Sequence, residues 1–254
     1  MYKKYYNKNV FILIFFFIFM KNSITLIAPS WAWKTTQWKL LAEYFWYNFI
    51  DFDDDILEKI DLKTAQNFLD KYNIKNIKVN DLAWKSVSEL LEILWEKNFK
   101  KLEEFLTLNL ELKEKTILAT SWSQVYSELA MQTLQKISDI IYLEIPLVEI
   151  TKRIASMKVD RIVWMNWKDD FETYKKVMEE RLKLYEKYSN YKFKIKNKTP
   201  FKINKDWKKE LNKNWIPILE DYPKEIKNPE KSIKFNFENF KKFLLKKWII
   251  KKWA

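Results

Sequence analysis

A short apolar run, a turn and a lysine–threonine pair constrain the fold of this chain more than any other feature of its sequence. Near its start the chain reads ITLIAPSWAWKTTQWK. The apolar, β-branched residues 24–28 predict a strand, residues 29–33 predict a turn, and the amphipathic residues 34–45 predict a helix. A strand, a turn and a helix that begins with Lys34 and Thr35 have the layout of a phosphate-binding loop, in which backbone N–H groups surround phosphate oxygens.

Two of the turn residues conflict with this layout, because such a loop normally contains glycines. Trp31 and Trp33 stand at the glycine positions, where other residues adopt the backbone conformation at a cost and where two indoles would fill the phosphate space. The chain contains no glycine and 13 tryptophans. An average glycine usage of about 7% would give roughly 18 glycines. Further tryptophans occupy places typical of glycine, namely Trp38, Trp46, Trp122, Trp164 and Trp167.

We interpret these tryptophans as a decoding difference. Some bacterial lineages read the codon UGA as glycine, and a translation that assigns UGA to tryptophan would write Trp at each such codon. This interpretation does not account for the absence of glycine from ordinary codons. The alternative is a natural protein that is rich in tryptophan and free of glycine. Peptide mass spectrometry of the natural protein distinguishes the two.

With glycine at residues 31 and 33, the loop reads A-P-S-G-A-G-K-T-T, with Ala28 in place of the first glycine of the pattern. This loop resembles those of nucleoside monophosphate kinases and shikimate kinases. The resemblance implies that the loop binds ATP, that its lysine stabilises the β- and γ-phosphates, and that its first threonine ligates Mg²⁺. The implied ATP-binding residues are Ser30, Trp31, Ala32, Trp33, Lys34, Thr35 and Thr36.

Two aspartates end the second predicted strand, residues 47–51. Strand alternation places Asp51 and Asp53 on the same side, and an open parallel sheet binds ligands beyond the carboxyl ends of its strands. Two carboxylates there suit a magnesium site and a base for a hydroxyl group. A solvated turn or a helix cap is the alternative for this acidic run, and it is the simpler interpretation of Asp54 and Asp55. The sequence F-I-D-F-D-x-x-I resembles the shikimate kinase motif, which implies that Asp51 lies near Mg²⁺ and that Asp53 holds the acceptor hydroxyls.

Two further segments resemble the acceptor site of shikimate kinases. The sequence W-E-K-N-F-K-K-L-E-E, with Trp95 in the place of a glycine, puts Lys100 where the family has an arginine for the acceptor carboxylate. Lysine keeps the charge but loses the bidentate fork, and a solvent-facing lysine is the alternative. Residues 121–123 follow the third predicted strand, 116–120, where the family has three glycines that touch the acceptor. Only Trp122 would be restored to glycine there.

The three arginines of the chain also fall near functional positions of that family. In sequence, Arg153 stands near the position at which the family has an arginine that stacks on adenine. Arg161 matches the family's lid arginine, which reaches the transferred phosphoryl group, although the residue after it is Ile162 where the family has proline. Arg181 matches the arginine expected to bind the acceptor carboxylate. A surface arginine is the alternative for Arg153 and Arg181. No acidic residue lies three or four positions from Arg181, so it lacks a helical ion pair.

The resemblance covers residues 23–195 and implies an α/β fold of three layers, with five parallel strands and helices on both faces. It implies ATP- and Mg²⁺-dependent phosphorylation of shikimate, in the pathway to aromatic amino acids. The scarcity of arginines favours a carboxylate-bearing acceptor over a nucleoside monophosphate, which needs several arginines around its phosphate. The alternatives are a nucleoside monophosphate kinase, another small-molecule kinase with this loop, or a nucleotide-binding protein without catalysis.

The two ends of the chain lie outside the kinase-like region. Residues 1–19 combine a basic start with an apolar run too short to span a bilayer comfortably. We interpret them as a gene-start artefact before Met20, with a membrane anchor as the rival. Residues 196–254 form a basic extension with a predicted final helix, 237–250, after a long loop.

Composition narrows the chemistry and the partners. Without histidine or cysteine, acid–base chemistry falls to Asp, Glu, Lys or Tyr, and disulfides are excluded. The net charge of +13 suits anionic ligands, but the lysines are spread too widely to favour nucleic acid. We expect a cytoplasmic monomer that binds shikimate and ATP, with no membrane partner unless residues 1–19 are a true anchor.

Overall fold

The computed structural model of this chain describes residues 23–29, 34–146, 171–195 and 229–247. Several sequence-based predictions lie outside the described residues. They are the leader 1–19, most of the turn 29–33, the region of Arg153 and Arg161, for which the sequence predicts a helix at 148–157 and a mobile lid at 159–169, and most of the long loop before the last helix.

The fold is built on a five-stranded, all-parallel sheet. Its strands are β1 (Ile24–Ile27), β2 (Asn48–Asp51), β3 (Thr116–Ala119), β4 (Asp139–Glu144) and β5 (Tyr191–Lys194). They lie in the order β2-β3-β1-β4-β5. All four residues of the central strand β1 are buried, as expected of a parallel strand that is covered on both faces. The predicted sheet of five parallel strands is confirmed.

Helices connect and cover these strands. The described α-helices are α1 (Lys34–Phe45), α2 (Leu62–Lys71), α3 (Val79–Leu82), α4 (Val87–Leu108), α5 (Glu128–Ile137), α6 (Phe171–Tyr188) and α7 (Pro229–Lys246). A π-helical segment, Phe52–Leu57, follows β2, and a 3₁₀ turn, Gln124–Tyr126, follows β3. The predicted start of the last helix at Phe237 is wrong. The helix begins at Pro229, because proline fits the first helical position even where the apolar periodicity has not yet begun.

None of the helices in the described ranges combines the length and the apolarity that crossing a bilayer requires.

Two apolar clusters, one built around Phe52, Phe68 and Leu102 and the other around Trp38, Leu41 and Phe240, form the core. Both clusters take residues from the central strand β1, in which successive side chains point to opposite faces. Helices therefore cover both faces of the sheet, and the predicted three-layer α/β architecture is confirmed.

Helix α7 belongs to the second cluster, although it comes from the C-terminal extension. The ring of Phe240 lies 4.4 Å from that of Trp38 on α1 and 4.6 Å from that of Phe193 on β5, both in edge-on geometry. Phe240 and Trp38 are each only 1% exposed. The extension therefore supplies part of the hydrophobic core of the kinase-like fold.

Left-handed backbone conformations fall on tryptophans unusually often. Among the described residues, five have positive φ, and three of these are Trp46, Trp84 and Trp95. Trp46, at φ 59°, follows the last residue of α1, as expected of a C-terminal cap. Trp95 interrupts α4 at φ 55° and ψ 166°, close to a region that glycine alone commonly occupies.

The indoles of these three tryptophans are largely exposed to solvent and pack little against the rest of the protein. Trp46, Trp84 and Trp95 are 89%, 65% and 76% exposed. Bulky residues at positive φ store strain, and burial of their rings does not compensate for it here. The geometry at Trp46 and Trp95 supports the interpretation that these positions are glycine in the natural protein, and it adds Trp84. Trp38 does not fit this interpretation in the same way, because its ring is buried in the second apolar cluster.

Candidate active site

The carboxyl ends of β2 and β3 meet at one edge of the sheet. Asp51, the last residue of β2, pairs in register with Ala119, the last residue of β3. The chain then enters residues 121–123, here called the serine loop, of which Ser121 and Ser123 are buried. Ligands of open parallel sheets bind beyond these strand ends. Two of the predicted ligand segments therefore reach the same edge.

The aspartates after β2 lie in a tight π-helical turn. The backbone N–H of Asp53 donates to the carboxylate of Asp51 at 3.1 Å, and the N–H of Asp51 donates to Asp55 at 3.0 Å. Asp55 also pairs with Lys59, 2.7 Å away. Asp51 therefore caps this segment and Asp55 closes the turn, which are the structural roles that the alternative interpretation of the acidic run predicted. Asp53 is half-buried.

Arg181 lies in α6 and is only 2% exposed. Its Nε donates to the hydroxyl of Tyr126 at 3.2 Å, and the guanidinium carbon lies 3.6 Å from the ring centroid of Trp122. Its Nη1 is buried and has no hydrogen-bond partner in the described part of the chain. A buried cationic donor without a partner is costly, and a bound carboxylate would satisfy it.

Lys100 of α4 approaches the same aromatic side chain. Its Nζ lies 4.0 Å from the ring centroid of Tyr126 and 2.5 Å from the carboxylate of Glu96. Tyr126 therefore contacts both predicted acceptor-binding cations, Lys100 and Arg181. The structure brings together two basic residues that stand far apart in the sequence.

Glu103 is a site residue that the sequence analysis missed. It is 1% exposed, and its carboxylate accepts hydrogen bonds from Ser121 and from Ser123, the latter at 2.7 Å. Burial, together with the nearby charge of Asp53, raises the pKa of Glu103 to about 7, although the serine hydroxyls and Arg181 act in the opposite direction.

A signal for Glu103 was present in the sequence. It follows Lys100 by three residues, a spacing that puts two side chains on one face of a helix. The serines that replace the family's glycines are its hydrogen-bond donors. Only the fold brings these two segments into contact.

Comparison with known proteins identifies the family. A sequence model described as "Shikimate kinase" matches residues 78–212, which is more than half of the chain. The chain belongs to the shikimate kinase family. The matched range begins after the predicted phosphate-binding loop, whose glycine positions carry tryptophans in this sequence.

The individual relatives include a protein of this family and one with another name. The chain is 27% identical over 187 residues to the shikimate kinase of Alkaliphilus oremlandii, covering 74% of this chain and 97% of that protein. It is 30% identical over 146 residues to threonine synthase-like 1 of Mus musculus, covering 57% of this chain. That alignment spans only 16% of the length of the mouse protein.

Solved structures of shikimate kinases share the fold. The crystal structure of the enzyme from Bacteroides thetaiotaomicron is similar with a TM-score of 0.54 at 17% identity, covering 87% of this chain and 97% of that one. A structure of the enzyme from Acinetobacter baumannii in complex with shikimate is similar with a TM-score of 0.52 at 18% identity, covering 71% of this chain and 87% of that one.

Only some of the predicted ATP-binding residues lie within the described ranges. Lys34, Thr35 and Thr36 form the first turn of α1, which begins seven residues after the end of β1. A helix N-terminus in this position attracts phosphate, because its N–H groups are unpaired and its dipole is positive there. The remaining predicted residues lie outside the described ranges: Ser30, Trp31, Ala32, Trp33, Arg153 and Arg161.

The chemistry of the donor set is compatible with Mg²⁺. This ion is commonly held by one or two carboxylates together with substrate phosphates. Asp51 and Asp53 offer carboxylates at the carboxyl end of β2, the edge of the parallel sheet at which β1 also ends before α1. The described residues contain no cluster of three acidic side chains that could hold a metal ion by itself. The phosphates would therefore have to complete the coordination.

Proposed function

We propose that this protein transfers the γ-phosphoryl group of ATP to a hydroxyl of shikimate, giving shikimate 3-phosphate and ADP. The observation that carries this proposal is the buried Nη1 of Arg181, which has no partner in the described part of the chain. Lys100 adds a second positive charge across Tyr126. Shikimate has one carboxylate and three hydroxyls, and such a pair of cations suits the carboxylate.

On the nucleotide side, we propose that residues 30–36 wrap the phosphates and that Lys34 stabilises the β- and γ-phosphates. Arg153 would stack on the adenine, and Arg161 would reach the transferred phosphoryl group. Thr35 and Asp51 would hold Mg²⁺, which supplies charge neutralisation between the phosphates when bound.

On the acceptor side, we propose that Asp53 orients the reacting hydroxyl and accepts its proton. Lys100 and Arg181 would bind the carboxylate, with residue 122 beside them. The chain would act in the aromatic amino-acid precursor pathway as a cytoplasmic monomer, with residues 20–195 as the kinase domain and 196–254 as an appended extension.

The tryptophans at residues 31 and 33 favour a second candidate function, that of a family member without catalysis. Tryptophan at residues 31 and 33 would fill the space that phosphates need, so a chain with those indoles would lack the catalytic loop. Such a protein would be a member of the family without kinase activity. A nucleoside monophosphate kinase is less well supported, because Arg153, Arg161 and Arg181 are the only arginines in the chain.

The test compares two full-length proteins, one with the present sequence and one with glycine at residues 31 and 33. A coupled assay of ADP release is run with shikimate, AMP, CMP and gluconate, and titration calorimetry measures ATP binding. We expect the glycine variant to phosphorylate shikimate alone. Turnover of a nucleotide but not of shikimate would overturn the assignment, and ATP binding without ADP release would favour the inactive family member.

A further inference from the structure

The serine loop is tied to α4 by a buried carboxylate. Ser121 and Ser123, which flank residue 122, both donate their hydroxyls to Glu103. Ser123 reaches both carboxylate oxygens, at 2.7 and 2.9 Å. All three side chains are at most 2% exposed. The loop therefore cannot shift without disturbing hydrogen bonds to a buried charged group.

The serine loop and the 3₁₀ turn after it, residues 121–126, are here called the segment, and they also contact α6. The backbone carbonyl of Trp122 accepts a hydrogen bond from the hydroxyl of Tyr185 at 2.9 Å. Tyr185 lies four residues after Arg181, so the two side chains share one face of α6. Tyr126, at the end of the segment, accepts the hydrogen bond of Arg181 Nε. The segment thus connects α4 to the residue that is proposed to bind the acceptor carboxylate.

We propose that Glu103 is a positioning residue for acceptor binding: by holding Ser121 and Ser123, it fixes the segment that orients Arg181. This inference rests on the proposed function for the identity of the acceptor. The hydrogen bonds that carry it involve the carboxylate, the two hydroxyls and a backbone carbonyl. They are therefore available whether residue 122 is tryptophan or glycine.

The hydrogen bonds from the serine loop make the ionised form of Glu103 the competent one, because both hydroxyls donate to its carboxylate. Asp53, from the turn after β2, disfavours a negative charge on Glu103, whereas Arg181 from α6 favours it. On its own helix, Lys100 is paired with Glu96. A protonated carboxyl uses one oxygen as a donor, so with the proton on Oε2 it loses the second contact with Ser123 and accepts more weakly at Oε1. Acceptor affinity should consequently fall as Glu103 becomes protonated.

The experiment compares Glu103→Gln with Glu104→Gln in the full chain that carries glycine at residues 31 and 33. Glu104 is a matched control on the same helical turn, because it also accepts from a serine, Ser127, at 2.5 Å, and from Tyr72. We expect Glu103→Gln to raise the KM for shikimate about tenfold, with the KM for ATP unchanged. The control should leave both constants unchanged.

Two further readouts separate positioning from general damage. Amide hydrogen exchange over residues 121–126 should become faster in Glu103→Gln and not in the control. The KM of the parent for shikimate should rise as pH is lowered below 7, whereas that of Glu103→Gln should stay flat. If Glu103→Gln fails to fold by circular dichroism, Ser121→Ala with Ser123→Ala removes the same hydrogen bonds from the loop side and should give the same effects.

The inference is overturned if loop exchange and the KM for shikimate in Glu103→Gln equal those of the parent. A parent that does not phosphorylate shikimate would instead refute the proposed function. Hydrogen exchange would still decide in that case whether Glu103 holds the segment.

Discussion

Arg181 donates a hydrogen bond from Nε to the hydroxyl of Tyr126 at 3.2 Å. This contact fixes the plane of the guanidinium, while its Nη1 stays buried without a hydrogen-bond partner among the described residues. A charged donor held in this way is oriented before any ligand arrives. Its removal should therefore affect the binding of one substrate selectively.

We expect Arg181→Ala to raise the KM for shikimate by about 10- to 100-fold, because hydrogen bonds to charged groups contribute about 1.5–3 kcal/mol. The KM for ATP should change little. Arg181→Lys keeps the charge without the fork and should give an intermediate value. Steady-state kinetics in both substrates checks this. An equal rise of both KM values would contradict a role in acceptor binding.

Lys34, the first residue of α1, should be essential for turnover. We expect Lys34→Ala to lower kcat at least about a hundredfold, because a charge that stabilises the transferred phosphoryl group is lost. Far-UV circular dichroism should remain unchanged. Lys39→Ala, at an exposed position on the same helix, is the matched control and should keep normal kcat. Retained turnover in Lys34→Ala would remove this lysine from the mechanism.

The tryptophans at positive φ should be replaceable by glycine with a gain in stability. Left-handed conformations cost non-glycine residues about 1–2 kcal/mol, and Trp46 and Trp95 are largely exposed, so Trp46→Gly and Trp95→Gly should each stabilise by about 1 kcal/mol. Trp38→Gly should destabilise this chain by about 3–5 kcal/mol, because it empties a core position. Urea unfolding measures all three changes. Destabilisation by the first two would argue against glycine there.

Stability should depend on pH through Glu103. Its pKa is about 7 in the folded protein and lies at the ordinary value of 4.5 when unfolded, so the native state binds more protons between these values. The resulting stabilisation is complete below about pH 4.5 and is lost as pH rises through 7, a change of about 3 kcal/mol. Glu103→Gln should flatten this slope in urea unfolding from pH 5 to 8. Glu104→Gln should leave the slope as it is.

Helix α7 should contribute measurably to the stability of the kinase fold. Phe240 is 1% exposed and contacts both Trp38 and Phe193, so Phe240→Ala should destabilise by about 3–5 kcal/mol. Phe237→Ala, at a half-buried position one turn earlier, should cost less. Thermal unfolding compares the two. Equal and negligible effects would mean that the extension does not support the core.

Much of the fold could be predicted because its signals are local. Apolar runs bounded by turns mark the strands, and amphipathic periodicity marks α1, α4 and α6. The start of α7 could not be predicted in this way, because its first turn from Pro229 lacks that periodicity. The spacing of the aspartates after β2 also could not reveal that Asp55 closes the turn around Asp51.

The basic residues of the candidate site could be predicted from the sequence, whereas the buried Glu103 that holds the serine loop could not. Lys100, Arg181 and residue 122 come from short motifs. The structure brings Lys100 and Arg181 together at Tyr126, with Trp122 stacked on Arg181. The importance of Glu103 depends on contacts with Ser121 and Ser123, which lie 18 and 20 residues away in sequence. Such contacts exist only once β3 has joined the sheet. The roles of the predicted site residues stay predictions.

The packing of α7 against α1 and β5 has a consequence for how the protein is made. Ribosomes release a chain from its N-terminus onward, so the sheet and α1 leave the exit tunnel before α7 does. Until then Trp38 and Phe193 lack the ring of Phe240 that covers them in the finished molecule. A nascent chain at that stage presents an aromatic surface to its surroundings, and such surfaces attract chaperones or other unfinished chains. Docking of α7 covers this aromatic surface.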